Sequence, residues 1–210
     1  MSAILANLTR QMQGYQPQLL KNTLPEAAVL LAVTKGENPE VILTRRAQHL
    51  KSHPGQVAFP GGKRDKEDPN LYATALREAE EEIGLNPIQV EPLGQLSDVI
   101  SLHGVKVTPY VALVPDQLEF RLCEEELDAI FTVPIEWLLE DPRSHTDVIH
   151  LTDASKLYVP SYSFSEFTIW GLSAMMLVEF LQVGFNMPID LYQQPKGKLL
   201  HRPLRPLPVN

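Results

Sequence analysis

Hydrophobic positions change period several times along this chain, and each change predicts an element. Residues 27–34 (AAVLLAVT) form an unbroken apolar run with β-branched members, and residues 41–44 (VILT) follow a turn made of Lys35, Gly36, Asn38 and Pro39, so two neighbouring strands are predicted. Pro60-Gly61-Gly62 stops the next extended piece and opens a loop. Asp68 as N-cap and Pro69 in the first helical position start a helix that Gly84 ends. On it, Tyr72, Leu76, Ala79 and Ile83 share one face with Ala75 at its border, while Glu78, Glu81 and Glu82 share another. Residues 90–100 and 105–114 read as strands joined around Leu102-His103-Gly104, and residues 118–122 and 129–133 as two more. Pro134 begins a short helix, residues 158–164 form the last extended piece, and residues 167–185 a long apolar helix. The first residues read as a short helix, and the tail from Pro195, with Pro203, Pro206 and Pro208, as extended and peripheral. The expected organisation is a helical extension over residues 1–24, one domain over 25–190 and a Pro-rich tail over 191–210.

Composition narrows the function classes. A chain of 210 residues suffices for one domain with a sizeable core. A formal net charge of -8 argues against a general nucleic-acid binder, and any polyanionic ligand would need clustered cations or bound metal ions. Cys123 is the only cysteine, so an intramolecular disulfide is ruled out and a reducing cytosol suits the chain. The stretch 167–185 carries Glu179 and Gln182, which favours a buried core helix over a membrane span, and the start of the chain lacks the basic-then-apolar order of a secretory signal. The expected setting is cytoplasmic, without membrane or nucleic-acid partners.

Three glutamates at i, i+3 and i+4 repel one another, each pair by a few tenths of a kcal/mol. Residues 73–86 offer only Arg77 as a balancing base. A solvated acidic face is the bland explanation. The chemical one is a cluster of hard oxygen ligands for Mg²⁺ or Mn²⁺, which a main-chain carbonyl at the Gly61-Gly62 turn can complete.

The string GGKRDKEDPNLYATALREAEEEIGL, residues 61–85, resembles the Nudix box, whose signature ends R-E-apolar-x-E-E-x-G-apolar; Arg77, Glu78, Ala79, Glu81, Glu82, Gly84 and Leu85 fill that ending. The first half departs from the common form. Counting from Gly62 puts Asp68 where glutamate is usual, and Arg77 falls one place late, consistent with a one-residue loop insertion. Asp68 or Glu67 is the expected structural partner of Arg77.

Upstream, residues 43–65 (LTRRAQHLKSHPGQVAFPGGKRD) resemble the signature of the coenzyme A pyrophosphatase branch of that superfamily through Leu43, Thr44, Arg46, Gly55, Phe59, Pro60, Gly61 and Gly62, with Ala47 and Lys51 as departures. The resemblance implies an α/β fold, an α/β/α sandwich with a mixed β-sheet, and hydrolysis of coenzyme A to 3′-phosphoadenosine 5′-phosphate and 4′-phosphopantetheine. It implies metal ligation by Glu78, Glu82, Glu81 and Gly61, and catalytic roles for Glu81, Glu82 and Arg77. Arg45, Arg46, Lys51, His53, Phe59 and Lys63 are the expected substrate-binding residues, with Arg64 adding to the local positive charge. Glu124, Glu125 and Glu126 are a rival source of the general base, against a plain acidic turn. ADP-ribose, a dinucleotide or a nucleoside triphosphate remain alternative substrates, a catalytically silent nucleotide sensor is the non-enzymatic alternative, and a homodimer is possible through the long C-terminal helix.

Overall fold

The computed structural model describes residues 2–151 and 155–202. Strands β1 (Glu26–Thr34) and β7 (Lys106–Val114) lie parallel at the centre, paired from Glu26↔Lys106 to Thr34↔Val114. Strands buried on both faces need apolar side chains at successive positions rather than alternation, which is why residues 27–34 are a continuous apolar run. On one face Ala28, Leu30 and Ala32 meet Ala75, Ala79 and Ile83 of helix α2 (Leu71–Ile83). On the other, Val29, Leu31 and Val33 belong to a core with α1 (Ala3–Gly14) and α4 (Gly171–Phe185). The result is helix, mixed sheet, helix.

Around this centre, β2 (Glu40–Arg46) pairs with β1 at Val33↔Val41 and along its length with β8 (Leu127–Pro134). β5 (Glu91–Gln95) and β6 (Val99–Ile100) pair antiparallel with β7. Two short strands, β3 (Val57–Ala58) and β4 (Gly61–Lys63), complete this sheet. After α3 (Ile135–Leu139), a second sheet runs β11 (Phe167–Ile169), β10 (Lys156–Phe164), β9 (Arg143–His150) and β12 (Leu199–Arg202).

Several local expectations are corrected. α2 starts at Leu71 with Asn70 as N-cap, accepting from the Ala73 N–H at 2.9 Å, because the Asp68 carboxylate is engaged elsewhere. Gly84 ends the helix in the left-handed conformation, as expected. Residues 118–122 form no strand; Arg121 and Cys123 donate their N–H groups to the carbonyls of Ile83 and Glu82, satisfying the last turn of α2 instead of a ladder. Residues 167–169 belong to β11, so the long helix starts only at Gly171. In the tail, β12 pairs with β9, and Arg202 grips the buried Asp147 through Nε at 2.8 Å, so this piece is anchored; Pro203, Pro206 and Pro208 lie outside the described residues. Among the described residues no helix is long and apolar enough to cross a membrane.

Candidate active site

β1 and β2 separate after their bridge, and consecutive short strands fill the fork. β3 pairs with β2 at Thr44↔Ala58 and Arg45↔Val57, while β4 pairs with β1 at Val29↔Gly61, Ala28↔Gly62 and Ala27↔Lys63. Phe59, 1% exposed, anchors the connection in the core. Gly61 has φ 153°, and a Cβ there would fall 2.3 Å from the Ala28 carbonyl oxygen. A Cβ on Gly62 would fall 2.4 Å from the carboxyl carbon of Glu78. Two glycines therefore let β4 lie against both β1 and the carboxylate face of α2.

Glu82 is 4% exposed and accepts the Gly61 N–H at 3.0 Å. Among the described residues it has no ion-paired cation. Burial pushes its carboxyl up to about 8; the Gly61 N–H pulls against that, the charges of Glu78 and Glu126 add to it, and Arg46 opposes. Burial also raises Glu78, against the pull of Arg77 and with the push of Glu81 and Glu126. A buried carboxylate group with raised proton affinity and more negative than positive neighbours is a site short of cations.

Arg77 organises the loop before the helix. Its Nε and Nη2 donate to the two oxygens of Asp68 at 3.1 Å each, and Nη2 also donates to the Lys63 carbonyl at 3.1 Å. Nη1 meets Glu78 and Glu81, each at 3.0 Å. Asp68 additionally accepts the Asp65 N–H and the Thr74 hydroxyl at 3.0 and 2.9 Å. The Arg77 guanidinium, with these other donors, holds its carboxyl well below the usual range. Of the two expected partners, Asp68 takes Arg77 and Glu67 stays exposed. The Arg77 guanidinium is thus committed to protein oxygens.

Of the expected metal-binding group, Glu82, Glu78 and Gly61 come together, whereas Glu81 is 59% exposed and turned to Arg77. Among the described residues no three acidic, histidine or cysteine side chains converge on one point. The donor set nevertheless fits a divalent cation, since the Glu82 and Glu78 carboxylates are hard oxygen donors held at the Gly61-Gly62 turn and are desolvated without full compensation.

The structure separates the expected substrate-binding residues. The charge of Arg46 is felt at Glu82, and its Nε, like that of Arg45, is buried without a hydrogen-bond partner. Arg45, one residue earlier on the strand, is held at the second sheet: Nη1 meets Glu166 at 3.1 Å, and the guanidinium lies 5.2 Å above Phe167, whose ring stacks on Phe131 at 3.8 Å. Lys51 and Lys63 are exposed. His53, at φ 54°, bonds the Gln56 side chain at 2.8 Å and meets the edge of His103 with ring centroids 5.0 Å apart. Phe59, expected at the ligand, is buried in the core. Three residues near these groups have no individual signal in the sequence: Glu126 is one of an acidic triplet, and His103 and Glu166 carry no motif.

Residues 24–152 match the family model described as the NUDIX domain. Proteins of Shigella sonnei and Escherichia coli O1:K1, each described as an uncharacterized Nudix hydrolase, NudL, are 37% identical over 187 residues, covering 87% of this chain and 96% of theirs. A solved MutT/nudix family protein from Enterococcus faecalis has a similar fold, with 13% identity and a TM-score of 0.51 over 86% of this chain and 69% of that one.

Proposed function

The chain belongs to the Nudix family, and on that premise we propose that it hydrolyses the pyrophosphate bond of coenzyme A, releasing 3′-phosphoadenosine 5′-phosphate and 4′-phosphopantetheine in the presence of Mg²⁺ or Mn²⁺. The observation that carries this reading is the buried Glu82 carboxylate at the Gly61-Gly62 turn, beside Glu78 and close enough to Arg46 to feel its charge. Such an arrangement suits a cation and a phosphate arriving together, each offsetting a charge that the protein leaves uncompensated.

Nudix hydrolases generally use divalent metal ions. Glu78 and Glu82 would hold the cation, with main-chain assistance at Gly61. Such an ion neutralises charge on the pyrophosphate and makes a nearby water more acidic. Glu82 must give up its proton for this, which the Gly61 N–H and Arg46 favour by stabilising the carboxylate. Arg46 is assigned to a phosphate oxygen, and Lys51, Lys63 and His53 to the rim that attracts the polyanion. Glu81 serves as a further ligand or as the base for water, and Arg77 locks the β4 loop onto α2 through Asp68.

The coenzyme A assignment rests on the residues 43–65 signature, whose loop lies between β2 and β3 beside the glycine turn. The test is incubation with Mg²⁺ or Mn²⁺ and coenzyme A, ADP-ribose or a dinucleotide, with products identified by mass. Preferential release of 3′-phosphoadenosine 5′-phosphate from coenzyme A is expected. Preference for another substrate would overturn the assignment, and inertness towards all three would favour a nucleotide sensor.

A further inference from the structure

β2 ends, and β7 begins, at the same edge of the first sheet, because β2 is antiparallel to β1 and β7 is parallel to it. The loop 47–56 leaves β2 there, and the loop 101–105 joins β6 to β7 there. Between their parent strands lie β4 and β1, which carry the glycine turn and its support. The 5.0 Å contact between His53 and His103 therefore joins two loops from opposite flanks across the ends of these strands.

The β6–β7 loop differs chemically from the rest of the rim. From β6 through this loop, Val99 to Val105, the chain contains no Lys, Arg, Asp or Glu, while Ile100 and Leu102 are 50% and 69% exposed. The segment before β1 extends the apolar surface with Leu19 and Leu20. Backbone contacts hold it in place: the Leu20 N–H donates to Asp98 Oδ2 at 2.8 Å, and the Asp98 N–H to the Gln18 carbonyl at 3.0 Å. The loop that carries His53 of the proposed rim thus meets an apolar shelf through His103.

The geometry points to this shelf as the seat of the uncharged arm of the substrate, with Ile100 and Leu102 as specificity-determining residues; this rests on the proposed coenzyme A pyrophosphatase reading. Coenzyme A is chemically divided in the same way, with a highly anionic nucleotide end and a long arm without charge beyond its pyrophosphate. Burying exposed aliphatic side chains against such an arm favours this substrate over one that ends at the pyrophosphate. The armless compound ends in a free phosphate with one more ionisable oxygen, which the phosphate-directed residues meet equally in wild type and in shelf variants, so the arm is read from how the selectivity ratio changes between them.

The experiment compares kcat/KM for coenzyme A with that for adenosine 3′-phosphate 5′-diphosphate, which has the nucleotide and pyrophosphate but no arm. Leu102→Ser and Ile100→Ser lie on exposed positions, and Ile88→Ser, at a residue 92% exposed elsewhere, is the control. The selectivity ratio for coenzyme A is expected to fall about tenfold in the two loop variants through a higher KM, and to stay at the wild-type value in the control. If wild type prefers coenzyme A and the loop variants retain its ratio, the shelf assignment is overturned and the proposed reaction stands. If wild type has no preference for coenzyme A over the armless compound, both the arm-binding shelf and the coenzyme A reading fall.

Discussion

Arg77 holds Asp68 through two parallel hydrogen bonds of 3.1 Å, tying the loop that follows the glycine turn to the middle of the carboxylate helix. The pair also places Arg77 against the Lys63 carbonyl, so a single guanidinium connects β4, the loop and α2.

Asp68→Asn is therefore expected to destabilise the fold by about 2 kcal/mol at neutral pH, the scale of hydrogen bonds to charged groups. The Asp68 carboxyl titrates lower in the folded than in the unfolded chain, so its contribution is complete above the ordinary carboxylate range and disappears as pH falls through the folded value. Urea denaturation at pH 7 should show the full gap between wild type and variant, and the gap should narrow below about pH 4. A gap independent of pH would contradict the assigned role.

Much of this architecture is written in local patterns. The doubly buried β1 announces itself as an apolar run, and the glycine turn and carboxylate helix follow from Gly61, Gly62 and the spacing of Glu78, Glu81 and Glu82. What was not legible depends on distant partners. Arg46 fills a signature place and Arg45 does not, but their partners are not written locally: Arg45 meets Glu166, the charge of Arg46 is felt at Glu82, and the ladder with β8 shifts register between them. β9 (RSHTDVIH) was missed because polar residues occupy much of it, including Asp147, whose burial depends on Arg202 more than fifty positions away. Asp68 looked like a helix cap because its position before Pro69 fits one, but a bidentate arginine outcompetes an N-cap for the same carboxylate.

Separating the two arginines gives distinct kinetic expectations. Arg46→Ala should raise KM about tenfold or more, since its charge is felt at Glu82 and no ion pair holds it elsewhere among the described residues, with little change in thermal midpoint. Arg45→Ala should leave KM near wild type and cost about 1 kcal/mol of stability through the lost contact with Phe167 and the exposed pair with Glu166. Equal KM effects from both would contradict the division.

Glu82 should show a conflict between stability and function. Its folded-state carboxyl is raised to about 8, so the folded chain binds more protons than the unfolded one between the ordinary value near 4.5 and about 8. Stability of the metal-free protein consequently falls as pH rises through that window, and the loss is complete above it. Glu82→Gln removes this burden. In EDTA its thermal midpoint should exceed that of wild type by a few degrees at pH 8.5 and converge with it near pH 5, while activity falls about 100-fold or more. A midpoint difference that does not change with pH would count against the assignment.

The base is separable from its neighbours by rate and pH profile together. Glu81→Gln is expected to lower kcat by about 100-fold, within the range of general-base catalysis. Glu126→Gln removes a charge that raises both Glu78 and Glu82, so the acid limb of kcat/KM should move to lower pH with a smaller loss of rate. If Glu126→Gln instead gives the larger loss of kcat, the role of base passes to Glu126.

The claim on which the rest depends is that Glu78 and Glu82 at the glycine turn form a divalent-cation site. Titration of the full chain with Mn²⁺, followed by electron paramagnetic resonance at several pH values, tests it without reference to any substrate. Wild type should bind with an affinity that strengthens as pH rises towards about 8, where Glu82 loses its proton, and Glu82→Gln should bind about 100-fold more weakly. Equal binding by the two proteins, or no binding by wild type, would contradict the claim.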